Sequence, residues 1–484
     1  MSLTIPTVKL AAIGPELALT VGALILLLLG VTRYRRSVCL LVLIALGSLA
    51  VAFALLLRAW NSPVEAFAGS VALDRFAVGF SMAILSAATL TVLLSLNEME
   101  RSYLLLADYY GLVLLATVGM LFLASATSLV MVFVGLETLS VSLYVLAGQR
   151  RSQASSLEAA LKYFLLGAFA TGFLLYGVAL IYGATGTLQL REIGSYVGTH
   201  GIWSSPLLAF GVLLLVIGFG FKIAVVPFHM WTPDVYQGAP TPVSGFMAAG
   251  SKAAAFAALV RIVYVSVGQT AVNWTALLWV LAVLTMFVGN VLAVVQDNVK
   301  RMLAYSSIAH AGYILVAIVA ANDLTSPSVV FYVLTYTFMN IGAFGVLAAL
   351  ASRDKETLDV HELAGVGYQK PFLGLAMAVF MFSLAGVPPT AGFMAKFYVF
   401  SAAIKAGYIW LAILGVVAAM ISVYYYLRVV VFLYMREPEG KTRVWPSLVP
   451  AVAVALSIAA VVIVGLGVWP GSVMGVLRQA VAML

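Results

Sequence analysis

Fourteen apolar stretches divide the chain, near 12–30, 38–57, 73–96, 107–123, 127–147, 158–182, 205–227, 238–265, 275–295, 303–320, 326–351, 372–402, 406–434 and 448–468, with short polar clusters between them. Most run close to the roughly 20 residues that carry a helix across the hydrocarbon of a bilayer, whereas an outer-membrane strand needs only about 10 residues of alternating character. The pattern predicts an all-α polytopic membrane protein with fourteen transmembrane helices. By this division no loop exceeds about twenty residues, too short to hold a soluble catalytic domain. No small-residue cleavage site follows the first stretch, so it is expected to stay as a signal anchor.

Two of the stretches are interrupted. Segment 372–402 is long for one untilted span and holds Gly386, Pro388 and Pro389 near its middle. Proline there removes a backbone hydrogen bond and clashes with the preceding turn, which predicts a discontinuous twelfth helix. In the seventh stretch Gly218 and Gly220 lead up to Lys222 and Pro227 follows it, which predicts a second discontinuous helix. Paired interrupted spans in two halves of a chain point to inverted repeats with ionisable sites at mid-depth. Spans 4–8 and 9–13 make two units of five helices, and the odd number forces opposite orientations. The expected organisation is helices 1–3 in residues 1–106, a first repeat in 107–265, a second, inverted repeat in 275–434, and helix 14 in 435–484. Lys222 and Lys396 then belong to equivalent breaks.

Composition agrees with lipid as the main solvent: 63% of the 484 residues are hydrophobic and 9% charged, against about 25% charged in soluble domains. The formal charge of +8 therefore reads as topology-setting loops. Fourteen Lys and Arg fall on one side of the alternating spans, from Arg33, Arg35 and Arg36 through Arg101, Arg150, Arg151, Lys300, Arg301, Arg353, Lys355, Lys370 and Arg436 to Lys441 and Arg443. Lys9, Arg58, Arg75, Arg191, Lys405 and Arg478 fall on the other, which places both termini outside. One cysteine, Cys39, excludes an intrachain disulfide framework and a cysteine-ligated cluster. GATGT at 183–187 lacks a P-loop ending and follows no strand, and there is no dinucleotide fingerprint and no evident haem-spaced histidine pair. The chain is expected to bind no cofactor, to carry no electrons itself, and to hold no metal.

The candidate chemistry is in the charges within the spans. Arg261 and Arg428 lie near span ends, where snorkelling accounts for them. Lys162, Lys222, Lys252 and Lys396 have apolar sequence on both flanks, and Glu137 is the one carboxylate as deep. An ionised group at mid-bilayer costs roughly 2.5–3.5 kcal/mol on the insertion scale, so these lysines are expected to face the bundle interior. One glutamate pairs with at most two of them. Desolvation disfavours the charged form of a buried lysine, so some are expected to be neutral part of the time and able to pass protons. Lys162 follows Glu158 by four residues, and an ion pair along the helix is its competing, structural reading. His229, His310, Tyr305, Ser306 and Ser307 are candidate bridging groups, histidine because it titrates near neutrality; a packed, hydrogen-bonded histidine is the alternative. Tyr424, Tyr425 and Tyr426 read as packing or interface anchors.

Three long motifs, FKIAVVPFHMWTPDVYQGAPTPVSGFMAAGSK at 221–252, QDNVKRMLAYSSIAHAGYIL at 296–315 and GVPPTAGFMAKFYVF at 386–400, closely resemble the antiporter-like subunits of respiratory complex I, the proton-pumping NADH–quinone oxidoreductase, and among them the subunit N type. The resemblance implies fourteen helices with two inverted five-helix repeats. It assigns proton-transfer roles to Glu137, Lys162, Lys222, Lys252 and Lys396, all of which match. It also implies other membrane subunits of M, L, K and J types as partners, with flavin, iron–sulfur clusters and quinone held elsewhere in the complex, and a bacterial inner membrane as location. DVYQGAP and a lysine rather than glutamate in the twelfth helix favour the N type over M, and the lack of a long lateral C-terminal helix favours it over L. The competing readings are a subunit of a multisubunit monovalent-cation/proton antiporter, and a structural anchor of a membrane-bound oxidoreductase or hydrogenase.

Overall fold

The computed structural model describes residues 9–99, 106–267, 272–351, 359–438 and 445–481. Of the loop charges that set the expected topology, Arg101, Arg353, Lys355, Lys441 and Arg443 lie outside the described residues.

Among the described residues, thirteen helices are long and apolar enough to cross a membrane. In chain order the first eight are Leu10–Gly30, Val38–Asn61, Arg75–Leu96, Leu106–Ser125, Leu129–Ala147, Ala154–Thr185, Pro206–Ile223 and Thr241–Ser266. Trp274–Val294, Val299–Ala320 and Thr325–Leu350 follow as spans 9 to 11, and Ile409–Met435 and Pro450–Val468 as spans 13 and 14. The twelfth is divided into Pro371–Ala385 and Ala391–Lys405, with Gly386, Pro388 and Pro389 in the gap, as the prolines require. A two-stranded antiparallel hairpin, Val64–Ala66 with Val71–Leu73, joins spans 2 and 3.

The seventh span breaks later than its glycines suggest. Its helix runs unbroken through Gly218 and Gly220 and ends at Ile223, and Pro227 lies in the gap before a second helix, Trp231–Gly238. The two glycines serve close packing instead: a Cβ on Gly218 would stand 2.7 Å from Leu174 Cβ, and one on Gly220 2.7 Å from the Phe228 ring.

Several close contacts recur between the two halves of the chain at a fixed spacing. Gly119 lies so close to span 5 that a Cβ there would meet Leu139 N at 2.4 Å and Gly135 O at 2.7 Å; Gly289 presses on span 10 so that a Cβ would meet Ala309 N at 2.7 Å and Tyr305 O at 3.0 Å. A constant step of 170 residues relates all three pairs of positions. The same step carries the loop bridge Ser128↔Gln189 onto Asn298↔Asp359, and the Ser128 cap of span 5 onto the Asn298 cap of span 10. Five spans separate the two bridges, so they lie on opposite faces of the bundle.

Spans 3, 8, 10 and 11 form the centre and are almost wholly buried, while spans 1, 2, 6, 13 and 14 turn most of their surface outward. Span 8 carries two π-helical segments, Met247–Ser251 and Ile262–Val267, on either side of Lys252–Arg261. π-Helical insertions are frequent at functional sites.

Two charges differ from the sequence reading, and a third agrees with it. Arg261 does not snorkel; it is buried, with NH1 and NH2 bonded to the two Asp74 oxygens at 2.8 and 2.9 Å, because Asp74 at the start of span 3 stands beside the end of span 8. Lys300 is not a loop charge: it is fully buried in the first turn of span 10 and donates to Ala239 O at 2.7 Å. Arg428 does sit at a span end, where it pairs with Asp297.

Candidate functional site

Lys222 is the second-to-last residue of the first half of span 7, where the helix ends in a left-handed cap at Ala224 (φ +60°). The side chain is buried and donates to Ser140 Oγ at 2.8 Å and to the Tyr163 hydroxyl at 3.2 Å. Ser140 is one turn along span 5 from Glu137. Glu137 is within electrostatic reach of Lys222 without touching it, and one of its carboxylate oxygens is buried with no hydrogen-bond partner. A cavity of about 10 Å³, lined by Ser140, Tyr144, Gly167, Gly218 and Lys222 among others, adjoins the ammonium. That is room for about one water.

Lys252, between the π-helical segments of span 8, donates to both Ser307 O and Ser307 Oγ at 2.6 Å. One turn further along span 10, His310 Nδ1 lies 2.7 Å from the Tyr332 hydroxyl and Nε2 3.1 Å from the Tyr426 hydroxyl, which in turn bonds to Ser306. The charges of Lys252 and Lys396 both reach His310. Lys396 turns back across the break to donate to Leu384 O at 3.0 Å and Ala385 O at 2.9 Å, with its ammonium 5.1 Å from the centre of the Tyr313 ring. Tyr313 is tied through Asn290 to Tyr425.

Lys222, Lys252 and Lys396 are thus buried, and among the described residues none has a carboxylate within 4 Å. All three are held by hydroxyls and carbonyls. Such acceptors stabilise an ammonium and leave a neutral amine in place equally well, unlike an ion pair, which fixes the charge.

Family comparison gives the arrangement its context. The family described as the transmembrane region of NADH:quinone oxidoreductase and Mrp antiporter subunits matches residues 126–422. The NADH-quinone oxidoreductase subunit N of Trichlorobacter lovleyi is 48% identical over 99% of this chain and 98% of its own. The chain belongs to the subunit N family of NADH-quinone oxidoreductases. A chain of respiratory complex I from Thermus thermophilus superimposes with a TM-score of 0.82 at 41% identity, covering 96% of this chain and 99% of that one. A chain of the Mrp complex from a Dietzia species, at 22% identity and TM-score 0.86 over 98% of this chain and 97% of its own, shares the fold.

Within this subunit N fold, not every residue singled out from sequence joins the buried set. Lys162 does not face the interior; its side chain is 41% exposed on the outer flank of span 6, paired with Glu158 and with Asp234, each at 2.7 Å. His229 lies in the span 7 break, half-buried, with Nδ1 unpartnered and no bond to any of the lysines. Tyr305 is half-buried on span 10, apart from the His310 cluster. Tyr424 is 60% exposed and suits an anchor, whereas Tyr425 and Tyr426 are fully buried and hydrogen-bonded, which selects packing for those two from the alternatives of packing and anchoring. Sequence reasoning passed over Asp234, Arg301 as its partner, Tyr163, Trp231, Tyr332 and Asn290. Asp234 carried a visible signal, a lone acid in DVYQGAP one half-helix beyond a lysine.

Proposed function

We propose that this chain is the proton-translocating, antiporter-like N subunit of an NADH–quinone oxidoreductase. It carries no redox chemistry of its own and couples quinone reduction elsewhere in the complex to proton movement along Lys222, Lys252, His310 and Lys396, with Glu137 biasing Lys222. The observation that carries the reading is that three mid-membrane lysines are held by neutral acceptors alone. A scaffold gains nothing from unpaired cations in a dry interior, whereas a relay needs groups that can lose and regain a proton. No direct side-chain bond joins Lys222 to Lys252 among the described residues, and ordered water is the connection that fits between them.

Residues 107–265 and 275–434 act as the two translocating units, flanked by helices 1–3 and 14, in a bacterial inner membrane with both termini outside. Pro227 and Met230 in the first break are exposed, Met230 at 77%. Irregular backbone at membrane depth needs protein or water around it, which supports other membrane subunits as neighbours there. Flavin, iron–sulfur and quinone sites belong to partners. The test is Lys222→Ala in assembled complex reconstituted into vesicles: protons moved per electron fall, and an unchanged ratio overturns the reading.

A further inference from the structure

The two broken helices end their first halves in the same hydrogen-bonded cap. In span 7 the Ala224 amide donates to Gly220 O and Phe221 O and the Val225 amide to Gly220 O; in span 12 the Gly386 amide (φ +86°) donates to Phe382 O and Ser383 O and the Val387 amide to Phe382 O. Every donor and acceptor is shifted by 162 residues, and so are Pro227 and Pro389. This register separates the two lysines that the breaks seemed to share. Lys222 corresponds to Leu384, whose carbonyl accepts from Lys396, and Lys396 corresponds to Asp234.

Asp234 is built into the structure as an ionisable group. It lies on the half-helix Trp231–Gly238, 37% exposed, with Oδ2 accepting from Lys162 Nζ and Oδ1 from Arg301 NH1, each at 2.7 Å. Span 6 belongs to the first repeat and span 10 to the second, so the carboxylate bridges the two. Of the elements packed against this half-helix, span 6 presents Lys162 and Glu158, span 10 presents Arg301 and Lys300, and the start of span 8 presents no charged group. Exposure falls along the file: Glu158 63%, Lys162 41%, Asp234 37%. Arg301 cannot give up its proton, so it orients the carboxylate while Lys162 is free to exchange with it. Trp231, one turn before Asp234, lies flat on Tyr163 at 4.6 Å and donates from Nε1 to Phe221 O, next to Lys222.

We propose that Asp234 is the ionisable access group of the first repeat, holding there the place that Lys396 holds in the second, and that it exchanges a proton with Lys162. In the step itself the Nζ–H bond of Lys162 breaks and an Oδ2–H bond forms, so the ion pair becomes an amine beside a carboxylic acid. Lys162 is recharged from the exposed side through Glu158 or water. Because the repeats are inverted, the second halves of spans 7 and 12 reach opposite faces of the membrane, and the two access groups serve opposite sides.

This inference rests on the proton-translocating reading, and one set of vesicle measurements tests the two separately. Asp234→Asn keeps the size and one of the two oxygen acceptors, enough to hold one cation, while titration is lost, and assembly of the variant reports on the bridge separately from pumping. Protons per electron are expected to fall to the level of Lys222→Ala, and Asp234→Glu to restore most of the loss. Lys162→Gln is expected to show the same loss, and the double variant Lys162→Gln with Asp234→Asn no further loss, since the two act in one step. Wild-type pumping in Asp234→Asn, equal impairment of the Asn and Glu variants, or additive losses overturn the proposal. Should Asp234→Asn not assemble, full pumping by the half-exposed Lys162→Gln variant overturns it alone. If Lys222→Ala pumps normally, it is the translocation reading that fails instead.

Discussion

Lys252 places its ammonium against both oxygens of Ser307, the backbone carbonyl and the side-chain hydroxyl, at 2.6 Å each. The step of 170 residues that relates the span 4–5 contacts to the span 9–10 contacts carries Glu137 onto Ser307 and Ser140 onto His310. Span 5 therefore offers Lys222 a carboxylate nearby and a hydroxyl in contact, and span 10 offers Lys252, from the first repeat, a hydroxyl in contact and an imidazole one turn further along. Ser307→Ala removes one of two acceptors from a buried cation. A hydrogen bond to a charged group contributes about 1.5–3 kcal/mol, so the protonated state of Lys252 loses on that scale. The expected outcome is assembled complex with slowed proton transfer, measured as proton flux at matched quinone reduction, and Ser307→Thr should restore it.

At Lys222, arginine is expected to be poorly tolerated although it conserves charge. Guanidinium does not deprotonate in proteins, and its five donors exceed what Ser140 and Tyr163 can accept. Loss of pumping with assembly retained is the expected result for Lys222→Arg; full activity would rule out a protonation cycle at this site. Glu137→Gln preserves volume and removes the charge that acts on Lys222 across the gap. It should slow the same step, and near-normal pumping would mean that the carboxylate's charge is dispensable.

Much of this site was legible in the sequence, and the exceptions share a cause. Span number, the twelfth-helix break and the depth of Lys222, Lys252 and Lys396 follow from hydrophobic length and from proline chemistry, which act locally. What stayed hidden depends on helix rotation or on neighbours. Tyr424, Tyr425 and Tyr426 are adjacent in sequence, yet successive helical residues point about 100° apart, so one faces out and two face in. Lys162 lies on a span that turns most of its surface outward, and Arg261 was left to snorkel because nothing in its own segment reveals Asp74. Likewise a glycine beside a proline reads as a break, and only the packing of Leu174 and Phe228 shows that Gly218 and Gly220 exist for close approach.

Arg261 and Asp74 form the most deeply buried ion pair among those described, with 4% and 33% of the side chains exposed. Removing one partner of a buried pair leaves an uncompensated charge and costs about 3–5 kcal/mol. Asp74→Asn and Arg261→Leu should each lower the thermal stability of the purified complex. The double variant should lose less than the sum of the two, which a melting series on all three would show.

On the exposed face between spans 10 and 11, the Lys405 ammonium beside Asp323 bonds both carboxylate oxygens, at 2.7 and 2.8 Å, and holds the carboxyl below its ordinary value of 3.8. A depressed carboxyl contributes stability above its unfolded value and loses it as pH falls through the folded one. Lys405→Met should therefore return Asp323 towards 3.8. The variant should lose the small stabilisation of an exposed pair at neutral pH, and the gap between its melting temperature and that of the wild type should close as pH falls through the folded value of Asp323.

The last prediction concerns Lys396, whose ammonium caps the carbonyls of Leu384 and Ala385 where the first half of span 12 ends. Lys396→Ala leaves both oxygens without a donor in the break and removes the titratable group, so coupling should be lost. Lys396→Glu is more informative. An ionised carboxylate is repelled by two carbonyl oxygens, but a protonated one can donate to either, so the variant keeps a cap only in its neutral form. It also reverses the charge that reaches His310. Assembled complex with altered stoichiometry is expected for Lys396→Glu, and a larger loss for Lys396→Ala. If both leave protons per electron untouched in quinone-active complex, the twelfth-helix half of the path does not conduct, and Lys396 is a cap and nothing more.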